Sequence, residues 1–261
     1  MAEWRQSARA EASLDSRIAQ RQVASEDTAV PCDRLRQQRP LVLLVLGQSN
    51  AANHGIHGAP PLPQVYLISP TGQCHLMTDP LPGGTGHGSS IWSHLPAALA
   101  AEGLQRPVVL GVLAVDATSM ADWTRPGSKL AALLDDMLGR MQELGLPPDL
   151  VLWQQGEADA RALTKPDDYL AGLRILVDRI HSHGIPLPVV LAKSTICRSQ
   201  PSAALRQAVE QAVAGDSRLR LGPDTDTLLP ETHRADGCHF NAAGVQAAAA
   251  LWARAIAGQA R

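Results

Sequence analysis

A three-layer α/β/α sandwich around a parallel central sheet is the fold class that this sequence predicts. Short, continuous, β-prone apolar runs recur along the chain, helical stretches separate them, and a last helix is apolar almost all round. Strands that alternate with helices pair in parallel through right-handed crossovers and carry helices on both faces of the sheet.

The first run is Leu41-Val42-Leu43-Leu44-Val45-Leu46, closed by Gly47. An unbroken run of this kind is the pattern of a strand buried on both faces. Similar runs follow at residues 65–69, 108–115, 150–153 and 189–192. The spacing between them predicts helices over residues 92–101, 130–144, 167–183 and 203–214. Residues 242–257 are nearly all Ala, Leu and Val, which predicts a helix packed on the sheet. Residues 47–88 are rich in Gly, Pro and His with little periodicity, and read as long loops around one short strand. Loops of that length in a compact domain are often functional.

At 261 residues, of which 45% are hydrophobic, the chain fits one large α/β domain. Aromatics make up 3%, so the core rests on Leu, Val, Ile and Ala. Residues 1–38 differ in texture, being rich in Ala, Arg, Gln and Glu. They are expected to form a flexible or loosely docked N-terminal extension before a domain at 39–261, with a marginal helix over residues 13–26 through Leu14, Ile18 and Val23. The extension's few apolar residues, Trp4 among them, are too few for a domain of their own. A net charge of -2 gives no electrostatic reason for a nucleic-acid or anionic-membrane partner. The longest apolar run is far shorter than the about 20 residues that span a bilayer. The charged N-terminus lacks the apolar stretch of a secretory signal, so the chain as written is expected to be cytoplasmic. Cys32, Cys74, Cys197 and Cys238 are too few for a disulfide framework; one incidental bridge is left open.

Ligands of an open parallel sheet bind beyond the carboxyl ends of its strands. Three polar segments stand there. Gly47-Gln48-Ser49-Asn50 follows the first strand and sets a hydroxyl in a strand-to-helix turn, where unpaired backbone N–H groups favour a developing oxyanion. Serine is also a common cap in such turns. Gln154-Gln155-Gly156-Glu157-Ala158-Asp159 follows the run at 150–153, and its amides and carboxylates need partners. Asp236-Gly237-Cys238-His239 precedes the last helix; this spacing lets a carboxylate fix the tautomer of a histidine whose other nitrogen takes a proton. His54 and His57 have no further ligands at metal-binding spacing, so no metal is expected. No phosphate-binding glycine loop is present, and no cofactor is expected.

Gly47-Gln48-Ser49-Asn50, Trp153-Gln154-Gln155-Gly156-Glu157-Ala158-Asp159 and Asp236-Gly237-Cys238-His239-Phe240, in that order, resemble the sequence blocks of the SGNH hydrolases, and most nearly the branch of sialate O-acetylesterases and carbohydrate acetylesterases. Partial matches at Gly86-His87-Gly88-Ser89-Ser90 and Ala121-Asp122-Trp123 extend the likeness over residues 41–257. The resemblance implies a flavodoxin-like sheet and a serine esterase acting on small acyl esters, chiefly acetyl esters of sugars, with no cofactor. It implies Ser49 as nucleophile, His239 as general base and Asp236 as the carboxylate that orients it, with Glu157 as a rival carboxylate. The implied oxyanion hole comprises the Ser49 N–H, the Gly88 N–H (Gly86 as second choice) and the Gln155 side-chain amide. The branch often has Gly-Gly-Ser/Thr where this chain has Asp116-Ala117-Thr118-Ser119-Met120, which puts the local pocket in question. A non-catalytic carbohydrate-binding or scaffolding module, or an O-acyltransferase to a sugar acceptor, is the alternative reading.

Overall fold

The computed structural model describes residues 13–56, 65–184 and 188–259. Its strands are β1 (Ala29–Val30), β2 (Leu41–Gly47), β3 (Val65–Ile68), β4 (Cys74–Leu76), β5 (Val108–Ala114), β6 (Leu150–Gln154), β7 (Val189–Lys193) and β8 (Leu219–Asp224). They form one sheet ordered β1-β4-β3-β5-β2-β6-β7-β8. From β3 to β8 the pairings β3–β5, β5–β2, β2–β6, β6–β7 and β7–β8 are parallel. The edge pairs β1–β4 and β4–β3 are antiparallel. Counted along the chain, the run β5-β2-β6-β7-β8 has the order 2-1-3-4-5, which is flavodoxin-like. The β3–β4 hairpin and β1 extend it on one side.

The helices are α1 (residues 13–19), α2 (Cys32–Gln37), α3 (Leu95–Ala101), α4 (Met120–Thr124), α5 (Lys129–Glu143), α6 (Glu157–Ala162), α7 (Pro166–Ser182), α8 (Ala203–Gly215), α9 (Pro230–His233) and α10 (Ala242–Gln259). Side chains alternate faces along a strand, and β2 divides between two cores accordingly. Leu41, Leu43 and Val45 pack with Leu95, Leu99, Trp252 and Ile256 of α3 and α10. Val42, Leu44 and Leu46 pack with Leu134, Leu138, Leu173, Val177 and Leu205 of α5, α7 and α8. The three layers predicted from the sequence are present.

Some boundaries move for local reasons. The helix expected over residues 92–101 divides into a single 3₁₀ turn, Ile91–Ser93, and α3. Pro96 sits in the first turn of α3, the part of a helix where a missing N–H is tolerated. Among the described residues of 47–88 there are two strands, not one, because β4 folds back on β3. Only residues 13–19 of the N-terminal helix are helical.

One expectation, that for the cysteines, needs correction. The N-terminal segment, from residue 13 onward, makes contacts with both the core and the sheet. Leu14 and Leu35 are each 1% exposed within the main core, β1 joins the sheet, and Asp15 pairs with Lys129 of α5. The cysteines form two bridges, Cys32–Cys74 and Cys197–Cys238, so all four are paired. Trp4 and His57 lie outside the described residues. Among the described residues no helix is long and apolar enough to cross a membrane.

Candidate active site

β2 and β6 are neighbours, with Gly47 paired to Gln154 at their carboxyl ends. The chain leaves β2 towards the β5 side of the sheet and leaves β6 towards β7, so the two exits diverge and open a crevice at this switch point. Gly47 has φ +146°, and a Cβ on it would lie 2.0 Å from the Gln154 carbonyl oxygen; only glycine lets β2 run against β6 here. Gln48 N–H then donates to Gln154 O at 3.2 Å, and Ser49 begins a 3₁₀ turn that ends at Ala51. The N–H of Ser49 has no acceptor among the described residues.

The histidine comes from the loop between α9 and α10. Asp236 Oδ1 accepts the N–H groups of Cys238 (3.0 Å) and His239 (2.8 Å). Its Oδ2 lies 3.1 Å from His239 Nδ1 and accepts from Arg198 Nη2 at 3.0 Å. Partial burial raises the Asp236 carboxyl, but these N–H bonds, the Arg198 guanidinium and His239 together hold it well below the usual carboxylate range. The loop is fixed from behind by Arg234, 4% exposed, whose guanidinium donates to the carbonyls of Leu228, Ile196, Cys238 and Thr225. The Cys197–Cys238 bridge ties the same two loops covalently. His54 stacks on His239 with ring centroids 5.0 Å apart. Burial and the charge that His239 can carry push the His54 imidazole below its usual value.

A cleft of about 140 Å³ brings Ser49 and His239 together, with Gln48, Ala117, Glu157 and Arg198 among its lining. Asp236, not Glu157, is the carboxylate beside His239. Glu157 is fully buried behind the serine turn, where its Oε1 accepts from Asn50 Nδ2 and Ser194 Oγ, each at 2.8 Å. Its Oε2 has no partner among the described residues. Burial, opposed in part by Asn50, a backbone N–H, Ser194 and Arg234, pushes this carboxyl up to about 7.

Two of the expected oxyanion donors are already spent. The Gly88 N–H donates to Asn53 O at 2.8 Å, and neither Gly88 nor Gly86 lines the cleft. The Gln155 amide nitrogen donates to Thr118 O at 2.9 Å and to Asp159 Oδ2 at 2.5 Å, which uses both of its hydrogens. Asp159 in turn accepts the Met120 N–H at 2.8 Å. The Gln155–Asp159 pair therefore braces the loop after β5. Two groups missed in the sequence stand free instead. Gln48 Oε1 accepts the Ala158 N–H at 3.1 Å, which orients the amide; its Nε2 has no acceptor among the described residues and Gln48 lines the cleft. Ala117 also lines the cleft, with φ +52° and an N–H lacking any acceptor among the described residues. The signal for Ala117 was in the sequence, as the departure at residues 116–120: a left-handed position that favours glycine is held here by alanine. Among the described residues no group of His, Cys, Asp and Glu is arranged to hold a metal ion.

Comparison with known proteins agrees with this architecture. The family model described as carbohydrate esterase, sialic acid-specific acetylesterase, matches residues 40–257. No curated protein sequence matches the chain. Among solved structures, a protein from Arabidopsis thaliana is similar at 20% identity and TM-score 0.64, over 83% of this chain and 97% of that one. A carbohydrate acetylesterase from Xanthomonas citri is similar at 16% identity and TM-score 0.55, over 84% of this chain and 56% of that one. An M. smegmatis aryl esterase aligns at 15% identity and TM-score 0.53, over 84% of this chain and 99% of that one. At these identities the structures speak to the fold; the family model covers most of the chain, and the protein belongs to the carbohydrate esterase family of sialic acid-specific acetylesterases.

Proposed function

We propose that the chain hydrolyses acetyl esters of carbohydrate hydroxyls through Ser49, His239 and Asp236. The observation that carries this reading is that His239, paired with Asp236, lines the same cleft as a serine whose own N–H has no acceptor among the described residues. Ser49 Oγ attacks the ester carbonyl carbon while His239 Nε2 takes its proton, and Asp236 accepts from Nδ1 and steadies the imidazolium. The N–H groups of Ser49 and Ala117 and the Gln48 amide receive the oxyanion; one such donor is worth about 2.7–4 kcal/mol in the transition state. Collapse expels the sugar alkoxide, which His239 protonates. Water then attacks the acetyl-enzyme, His239 takes the water's proton, and acetate leaves as the proton returns to Ser49. Free hydrolases often lack the Ser–His hydrogen bond until substrate is bound.

Arg161 and Arg198 stand at the cleft, and guanidinium groups favour a sugar that carries a carboxylate. Disulfides persist in oxidising compartments, so the pairing of all four cysteines favours a site of action outside a reducing cytosol, against the expectation from the N-terminus. The test of the central claim is Ser49→Ala, assayed on p-nitrophenyl acetate and on O-acetylated neutral and acidic sugars with the folded variant verified by its melting temperature. Turnover should vanish on every substrate. An Ala variant that still hydrolyses them removes Ser49 as the nucleophile.

A further inference from the structure

The segment that precedes the family match reaches the loop of Asp116 and Ala117, which lines the cleft. Arg17, on α1, donates through Nη1 to the carbonyl oxygen of Asp116. In a trans peptide the C=O and the following N–H point in opposite directions. A guanidinium that holds the Asp116 oxygen therefore directs the Ala117 N–H away from itself, and Ala117 lines the cleft with Ser49. The other side of Asp116 is held as well, since its N–H donates to Thr85 Oγ1 at 2.9 Å. The loop bearing Thr85 is gripped by the same N-terminal segment: Gln22 N–H donates to Gly84 O, and Gly83 N–H to Gln22 O, both at 2.9 Å. Ala117 itself resists this geometry, because a left-handed φ puts its Cβ close to a carbonyl oxygen. A conformation that the residue disfavours persists only when its surroundings fix it, and the surroundings here include a charge-assisted bond from outside the matched domain.

We propose that Arg17 is a positioning residue for the oxyanion hole, fixing the Asp116–Ala117 peptide so that the Ala117 N–H meets the acyl oxygen of a bound ester. This rests on the Ser49 reading given above. It makes the N-terminal segment a functional part of the active site.

The experiment is steady-state hydrolysis of p-nitrophenyl acetate by the full chain and by Arg17→Ala, Arg17→Lys and Lys129→Ala. Lys129→Ala removes the Asp15–Lys129 ion pair that also docks α1, without touching the Asp116–Ala117 peptide. Arg17→Ala should lower kcat roughly 10- to 100-fold, with KM within about twofold. Arg17→Lys, which keeps a cationic donor, should fall between the two, and millimolar methylguanidinium should restore part of the kcat lost in Arg17→Ala. Lys129→Ala should stay within about twofold of the parent in kcat. An unchanged kcat in Arg17→Ala, an effect confined to KM, or an equal loss in Lys129→Ala overturns the proposal. If Arg17→Ala does not fold, a parent-like kcat in Arg17→Asn overturns it in the same way. Ser49→Ala, run alongside, separates the two claims: turnover that survives it removes the catalytic reading and Arg17's role together, while turnover that needs Ser49 but ignores Arg17 removes only the latter.

Discussion

Two carboxylates lie close to the proposed nucleophile, and their surroundings give them opposite tasks. The Asp236 carboxylate accepts from the N–H groups of Cys238 and His239 and from Arg198, which keeps it ionised beside the imidazole. Glu157 is shut away from water with one oxygen unpartnered. Asp236→Asn should therefore lower kcat by up to about 10⁴, whereas Glu157→Gln, which keeps the acceptor for Asn50 and Ser194, should cost far less; the reverse ranking in steady-state kinetics would mean the wrong acid has been assigned. Glu157 should reveal itself in stability. Its folded carboxyl lies near 7 against about 4.3 when unfolded. Between those values the folded state binds a proton that the unfolded state has released, so stability falls as pH rises through that window. The stabilising proton is fully present below the unfolded value and lost as pH passes the folded one. Melting curves should thus show Glu157→Gln gaining on the parent from pH 4 to pH 8. A constant difference in melting temperature across that range contradicts the raised carboxyl. Ser49, Asp236 and His239 stand out in the sequence because their chemistry and chain order are specific, and the structure brings Ser49 and His239 to one cleft with Asp236 beside His239. Which amide is left unpaired was not legible, since glutamines 48 and 155 look alike in sequence and only their neighbours decide it.

At the scale of elements, the buried strands were legible because an unbroken apolar run has few alternatives once a glycine or proline closes it. β8 was not. Leu219-Arg220-Leu221-Gly222-Pro223-Asp224 is an edge strand with one neighbour, and edge strands tolerate the proline and charge that argue against a central strand. β1 is only Ala29–Val30 and owes its conformation to β4. The motif from Trp153 to Asp159 shows how one element can mark a site and brace it as well. It signals the site's location, at the end of β6, yet its side chains chiefly hold other parts in place: Asp159 fixes the start of α4, Gln155 holds Thr118, and Glu157 ties Asn50 to Ser194. The groups these elements support, on the turns after β2 and β5, are the ones left facing the cleft. A spacing pattern records which residues sit together, and hydrogen-bond accounting separates the braces from the donors.

Across the whole molecule, the two disulfides offer a comparison in which loop length is nearly constant and distance from the chemistry is not. Cys32–Cys74 spans 42 residues and joins α2 to β4, the strand next to the sheet edge. Cys197–Cys238 spans 41 and joins the loop after β7 to the residue preceding His239. In the chain-entropy account, closing a loop of this size removes about 4 kcal/mol of freedom from the unfolded chain. Both double variants, Cys32→Ser/Cys74→Ser and Cys197→Ser/Cys238→Ser, should therefore lower the melting temperature by similar amounts. Their effects on turnover should differ. Without the first bridge, α1 keeps its own anchors, the buried Leu14 and the Asp15–Lys129 pair, so Arg17 stays near Asp116 and kcat should change little. Without the second, Arg234 still grips Ile196 and Cys238 through their carbonyls, but the Asp236–His239 turn loses its covalent tie to the loop of Arg198. A small displacement of a general base costs more in rate than in stability, because transition-state contacts depend steeply on position. The second variant should accordingly show a lower kcat at a temperature where both proteins remain folded, with KM little changed. Equal losses of kcat in the two variants would show that the bridges act only on global stability, and that the bridge beside His239 has no part in placing it.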